Sequence, residues 1–233
     1  MDEMKTRESV GRILQDRPVM VLAPHPDDES LGCGALLSAA FDSLGAHVVC
    51  VTDGRFSHPN SRMWPGDRLA ARREAELHEA VRILGGGPEA VTFLRYRDCH
   101  APVDGAELTD AAGRIAALCR TGGFGTLIAP APEDPHKDHV AVAKLARAVH
   151  AMCPGLRLYD YSVWSRWHRS WPETPAELHL DTAPWQARKA AAIAAHRSQL
   201  GLVVQDDPEG FIMTADFTDF FARSPERFRE VRG

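Results

Sequence analysis

"VMVLAPHPDDESLGCG", Val19 to Gly34, passes from an apolar run through a polar, proline-stiffened loop into a stretch of small and apolar residues. The short continuous run Val19–Ala23 reads as a strand buried on both faces. The next segment, "ESLGCGALLSAAFDSLG" (Glu29–Gly45), reads as a helix that ends near a glycine. Strand, loop and helix form the first unit of an α/β sheet.

The unit repeats outward along the chain. "AHVVCVT" (Ala46–Thr52), "AVTFL" (Ala90–Leu94) and "GTLIAPA" (Gly125–Ala131) read as further buried strands. Between and after them, "GDRLAARREAELHEAVRILGG" (Gly66–Gly86), "ELTDAAGRIAALCRTGG" (Glu107–Gly123) and "HVAVAKLARAVHAM" (His139–Met152) read as helices. A strand-like "LRLYDYSVW" (Leu156–Trp164) comes next. Such alternation predicts an α/β fold with a mainly parallel sheet and helices on both faces. Sites in these sheets gather at the carboxyl ends of the strands.

Composition narrows the class. A chain of 233 residues, 44% hydrophobic and 25% charged, suits one soluble domain over 1–233. A net charge of -5 argues against nucleic acid as the partner. Five scattered cysteines without a CxxC pair suggest reduced thiols in a cytoplasmic protein. The charged start "MDEMKTRESVGRILQDRP" has no apolar leader, and no run suits membrane insertion.

Two polar clusters carry the chemistry. The first, "PHPDDE", puts His25, Asp27, Asp28 and Glu29 at the end of the first strand. The second, "APEDPHKDHVAVAK", holds Glu133, Asp134, His136, Asp138 and His139 at the end of the fourth. Either alone could cap the helix after it. Both at equivalent strand ends could converge on one ion, since a catalytic zinc site takes three His or carboxylate ligands and leaves a position open. His25 and Asp28 can supply two ligands, and one histidine of the second cluster the third. "GCGALL" resembles the start of a dinucleotide-binding loop, but Leu37 stands where a small residue is needed and the glycines fall too far from the strand. Close packing behind the loop explains them better.

"PHPDDE" followed by "DPHKDH" resembles the PIG-L/LmbE-like family of metal-dependent N-deacetylases. "VTDGR", "RREAE…LG", "FLRYRD" and "KAAAIAAHRSQ" continue the resemblance in order, from Val19 to Gln199. It implies a Rossmann-like three-layer sandwich, zinc or another divalent metal such as Fe2+, and hydrolysis of an N-acetyl group on an amino sugar. By position, His25, Asp28 and His139 are then the metal ligands and Asp27 the general base. His136 stabilises the oxyanion, with Asp138 holding it protonated and oriented. Arg73 and Asp98 match positions that face the sugar. Arg55 departs from the family's usual acidic residue and would alter the substituents tolerated. Asp134 stands where some relatives carry tyrosine, and is expected to bind or orient something polar. In "YDYSVWSRWHRSWPE", Trp164, Trp167 and Trp171 are expected to cover the sheet edge or an oligomer contact, the alternative being indoles that pair with apolar sugar faces or a lipid-like aglycone.

The resulting expectation is a cytoplasmic zinc enzyme that removes an N-acetyl group from an amino sugar or its conjugate, with homo-oligomerisation left open. Its alternatives are an amidase for a larger acyl group, a nucleotide-binding oxidoreductase, and a silent sugar-binding protein.

Overall fold

A computed structural model describes residues 10–172, 174 and 177–231; most of the charged start, residues 1–9, lies outside the described residues. The strands are β1 (Val19–Ala23), β2 (Ala46–Thr52), β3 (Val91–Tyr96), β4 (Thr126–Pro130), β5 (Arg157–Tyr161), β6 (Glu177–Leu180) and β7 (Glu226–Glu230). The helices are α1 (Asp28–Phe41), α2 (Gly66–Leu84), α3 (Gly105–Thr121), α4 (Lys137–Met152), α5 (Trp164–Trp167), α6 (Gln186–Ala195) and α7 (Ala215–Arg223). One seven-stranded sheet has the order β3-β2-β1-β4-β5-β7-β6. The pairings that join β1 to β5 are parallel, whereas β7 runs antiparallel to β5 and to β6.

Alternation along β1 explains the two layers of helices. Val19, Val21 and Ala23 share a core with Leu31 of α1, Leu77 and Val81 of α2, Ile193 of α6 and Phe221 of α7. Met20 and Leu22 point the other way, into a core with Ile115 of α3 and Leu145 of α4. The sheet is thus covered on both sides. Among the described residues no helix is long and apolar enough to cross a membrane.

The antiparallel edge has no counterpart in the sequence reading. "ERFRE" and "ELHL" are short and charged, so neither resembles a buried strand; Phe228 is buried while Arg227 and Arg229 pair with Glu177 and Glu133. Gly32 and Gly34 lie inside α1, which removes the phosphate-loop reading. A Cβ on Gly32 would run into the Tyr161 ring, and one on Gly34 would sit 2.9 Å from Lys189 Cγ. These glycines let the helix approach its neighbours closely.

The order places the site. Successive strands run outward from β1 through β2 to β3, and from β4 to β5 on the other side. The loops after β1 and β4 therefore leave the sheet in opposite directions and open a crevice between them. His25 follows β1, and His136 and His139 follow β4.

Candidate metal centre and active site

The turn after β1 holds Asp27 at φ 138° and ψ -29°, a region costly for any residue with a Cβ. Its surroundings hold it there. The Asp27 N–H donates to Glu29 Oε2 at 2.9 Å, while Glu29 Oε1 accepts from Ser30 Oγ at 2.6 Å and His196 Nε2 at 2.9 Å. Arg73 on α2 donates to Asp27 Oδ2 (2.9 Å), Pro26 O (2.7 Å) and Gly54 O (2.8 Å). Burial pushes the Asp27 carboxyl up to about 6, against the pull of Arg73.

Three acceptor atoms converge beside it. The Nδ1 atom of His25 lies 3.2 Å from Asp28 Oδ2, and Nε2 of His139 lies 3.3 Å from the same oxygen. The far sides of both rings are already engaged. His25 Nε2 is 3.0 Å from Asp138 Oδ2, and His139 Nδ1 is 2.8 Å from Asp134 Oδ2. A proton on each of those outer nitrogens leaves Nδ1 of His25 and Nε2 of His139 as lone pairs aimed at a carboxylate. His139 Nε2 is buried and makes no hydrogen bond. Donors about 2.0–2.1 Å from a tetrahedral zinc stand roughly 3.3 Å apart, which the two separations match. Electrostatics agree with a cation: burial opposes charge on both rings, yet Asp138, Asp28 and Asp98 raise His25, and Asp28 and Asp134 raise His139 to about 9. The donor set suits a divalent metal.

His136 belongs to the same cluster, since a nitrogen from each of His25, His136 and His139 lies within 4.8 Å of the others. The expected support from Asp138 is not made. The Asp138 carboxylate faces away, accepting from His25 Nε2 and from the N–H groups of Cys99 (2.7 Å) and Ala101 (3.1 Å). The backbone N–H of Asp138 is what reaches His136 Nδ1, at 3.2 Å. Burial, then His25 and His139, press His136 down to about 4, and its Nδ1 accepts from the Asp138 N–H, which leaves Nε2 on the side away from that contact.

The three residues expected at the sugar separate. Asp98 lines the crevice, 3.4 Å from His25 Nε2 through Oδ1, while its Oδ2 accepts from Phe56 N–H. Arg73 is 3% exposed and its terminal nitrogens are spent on Asp27 and two carbonyls. Arg55 turns to Asp53 (2.7 Å) and Asp67 (2.8 Å) and is not among the crevice residues. Asp134 is fully buried, taking N–H or O–H donors from Ser162, Val163 and Ser165 besides His139.

The crevice encloses about 560 Å3. Its outer wall carries Trp164, Phe211 and Phe217, with the two phenylalanine ring centroids 5.5 and 5.6 Å from that of Trp164. Trp171 does sit at the sheet edge, against Arg229, but Trp164 faces the cavity instead. Two loops close the wall because Asp206 accepts from Ser61, Arg62 and Met63, and Asp207 from Asn60. Sequence reading missed this staple and the Glu29–His196 support. The pair Asp206-Asp207 stands in a polar loop with no pattern to mark it.

Comparison with known proteins places this arrangement. A family model, PIG-L, described as GlcNAc-PI de-N-acetylase, matches residues 20–150, and the chain belongs to that family. A 1D-myo-inositol 2-acetamido-2-deoxy-alpha-D-glucopyranoside deacetylase of Thermobifida fusca is 27% identical, over 91% of this chain and 75% of the relative. The 2'-N-acetylparomamine deacetylase of Streptomyces fradiae is 29% identical over 64% of this chain and 58% of its own. The fold is shared with N,N'-diacetylchitobiose deacetylase of Pyrococcus horikoshii, at a TM-score of 0.70 and 24% identity, covering 97% of this chain and 90% of that one. The protein is an N-deacetylase, a hydrolase.

Proposed function

We propose that the protein is a zinc-dependent hydrolase that removes the N-acetyl group of an amino sugar held in a conjugate. The convergence of His25 Nδ1, Asp28 Oδ2 and His139 Nε2 beside Asp27 carries this reading. Its relatives are named for an acetamido-glucopyranoside, an N-acetylparomamine and a diacetylchitobiose, which supports an N-acetylated sugar as substrate. The 3-2-1-4-5 order within the sheet supports a Rossmann-like assignment. Five free cysteines fit the cytoplasmic setting read from sequence.

His25, Asp28 and His139 would hold the metal, zinc or Fe2+, which supplies Lewis acidity and brings the pKa of water toward ~7. Asp27 accepts a proton from water as its oxygen attacks the acetyl carbonyl. His136 donates Nε2–H to the carbonyl oxygen as negative charge develops there. Asp27 then returns the proton to the leaving nitrogen, giving acetate and the free amine. Asp98, on the crevice wall, accepts from a sugar hydroxyl. Asp138 acts through His25, fixing which nitrogen is free to bind.

The test is amine release from a panel of N-acetyl and N-hexanoyl glucosaminides by zinc-loaded protein, beside Asp27→Ala at equal metal content. Release from the acetyl series, lowered about 10²–10⁴-fold in the variant, is expected. Zinc bound without any release would refute the substrate and reaction. Preference for hexanoyl would move the assignment to a longer acyl group. A protein that takes up no metal would end the reading.

A further inference from the structure

The two edges of the sheet are built differently. At one edge β6 is four residues long, and its Glu177 is engaged by Arg227 of β7 and by Trp171. At the other edge β3 reads "VTFLRY", with Val91, Thr92 and Phe93 only half-buried. Among the described residues no strand pairs with its outer side, so the backbone N–H and C=O groups there have no sheet partner. Folded proteins commonly blunt such an edge with lysine, proline or a covering helix. β3 contains neither lysine nor proline, and its one charge, Arg95, turns back onto Glu74 of α2 at 2.8 Å.

Helices flank this edge on both faces. On one face His78 of α2 packs against Phe93, beside the Glu74–Arg95 pair. On the other face lies α3. Burial and then Asp110 raise the Tyr96 phenol, Arg114 lowers it and Glu107 raises it, which places these three side chains beside the end of β3. All three are exposed and make no ion pair among the described residues. Asp110 and Arg114 stand one helical turn apart, so the flank carries both signs of charge along α3.

A second copy of the chain supplies what this surface lacks. Two β3 strands paired antiparallel about a two-fold axis perpendicular to the sheet satisfy each other's outer backbone groups. That axis keeps the two α3 helices on one face, side by side and running in opposite directions. Asp110 of each then meets Arg114 of the other, because a two-fold contact repeats every pair with the roles exchanged. An unrelated strand would satisfy the backbone and leave Asp110 and Arg114 unanswered.

We propose that the β3 edge and the flank of α3 beside it form the interface of a two-fold homodimer, in which the sheet continues into a second copy. The same contact would anchor the strand that leads directly into Asp98 and Cys99 on the crevice wall. It does not depend on which substrate the crevice takes.

Sedimentation equilibrium of the full chain over ~1–100 µM tests this, a range that standard-size interfaces reach. A mass twice the 25.6 kDa of one chain is expected at the upper end. Asp110→Arg and Arg114→Asp set like charges against each other and should each raise the dimer Kd about 10-fold or more. The double variant Asp110→Arg/Arg114→Asp should return to within ~3-fold of the native value. In hydrogen exchange, the outward amides of Val91–Leu94 should be protected in the dimer and exchange on dilution. A chain that stays monomeric throughout, or a dimer indifferent to both charge reversals, would overturn the interface. So would a dimer whose β3 amides exchange as they do in the monomer. A monomer whose β3 amides are protected only by an added peptide of the β3 sequence would assign the edge to a foreign strand and refute the dimer.

Discussion

Lys189 and Glu226 form an ion pair, 2.5 Å between Nζ and Oε1, in which both side chains are fully buried. The pair is set against the middle of α1. Lys189 donates to Leu31 O at 2.9 Å, and Glu226 accepts from the N–H groups of Ala35 (2.7 Å) and Leu36 (2.9 Å). Leu31 O and Ala35 N–H are the two ends of one helical rung, so both ends have side-chain partners. Asp28, which meets His25 and His139 in the candidate metal centre, begins the same helix, and α6 and β7 are tied to it through this pair.

Removing one partner should therefore be severe. Lys189→Met leaves a buried carboxylate without its counter-charge and is expected to cost about 3–5 kcal/mol. The double variant Lys189→Met/Glu226→Leu removes both charges and lets the rung close on itself, so its loss should be smaller than that of Lys189→Met alone. Urea unfolding of the three proteins checks this. A double variant that loses the sum of the single effects would show that the pair is not coupled.

The parallel core was legible in the sequence because "VMVLA" and "AHVVCVT" are largely buried on both faces and therefore mostly apolar. The two His/Asp loops of the candidate centre were legible because His and Asp cluster next to strand ends, where sites in such sheets gather. Lys189 was not, since a lysine in an alanine-rich helix looks solvent-facing, and its partner lies in a short strand dominated by charged residues. Asp134 was marked as polar but its object was hidden. It accepts from His139 on the next helix and from Ser162, Val163 and Ser165 beyond β5, contacts set by tertiary packing.

Asp134 gives a second prediction. As acceptor for His139 Nδ1–H it fixes the tautomer that leaves Nε2 free. Asp134→Asn puts a donor or a weaker acceptor there, and zinc affinity is expected to fall about 10–100-fold. Competition with a chromophoric chelator measures it. Unchanged affinity in a variant that still unfolds cooperatively would remove the orienting role.

The buried Glu29–His196 pair predicts a pH dependence. Burial opposes charge on both, but their attraction raises His196 above the ordinary 6.5 and lowers Glu29 below the ordinary 4.5. The histidine's contribution is full below 6.5 and is lost as pH rises through its raised folded value. The glutamate's is full above 4.5 and is lost as pH falls through its lowered value. The stability difference between the native chain and His196→Gln should be largest between those values, about 1.5–3 kcal/mol, and shrink at both ends. Denaturant midpoints across pH decide it; a difference independent of pH would mean that the pair is not ionised.

Arg73 supplies the sharpest division between binding a substrate and placing a catalyst. Its guanidinium ties Asp27 Oδ2 to the carbonyls of Pro26 and Gly54, holding a carboxylate whose backbone sits at φ 138°. A lysine keeps the charge but cannot span three acceptors in a fixed fork. Arg73→Lys should therefore lower kcat about 10–100-fold, the scale of a misplaced reacting group, with KM moving less than about three-fold. The sugar contact expected from sequence predicts the reverse, a raised KM with kcat nearly kept. Steady-state kinetics on an N-acetylglucosaminide, with zinc content matched between the two proteins, separates them, and a change confined to KM would return Arg73 to the substrate.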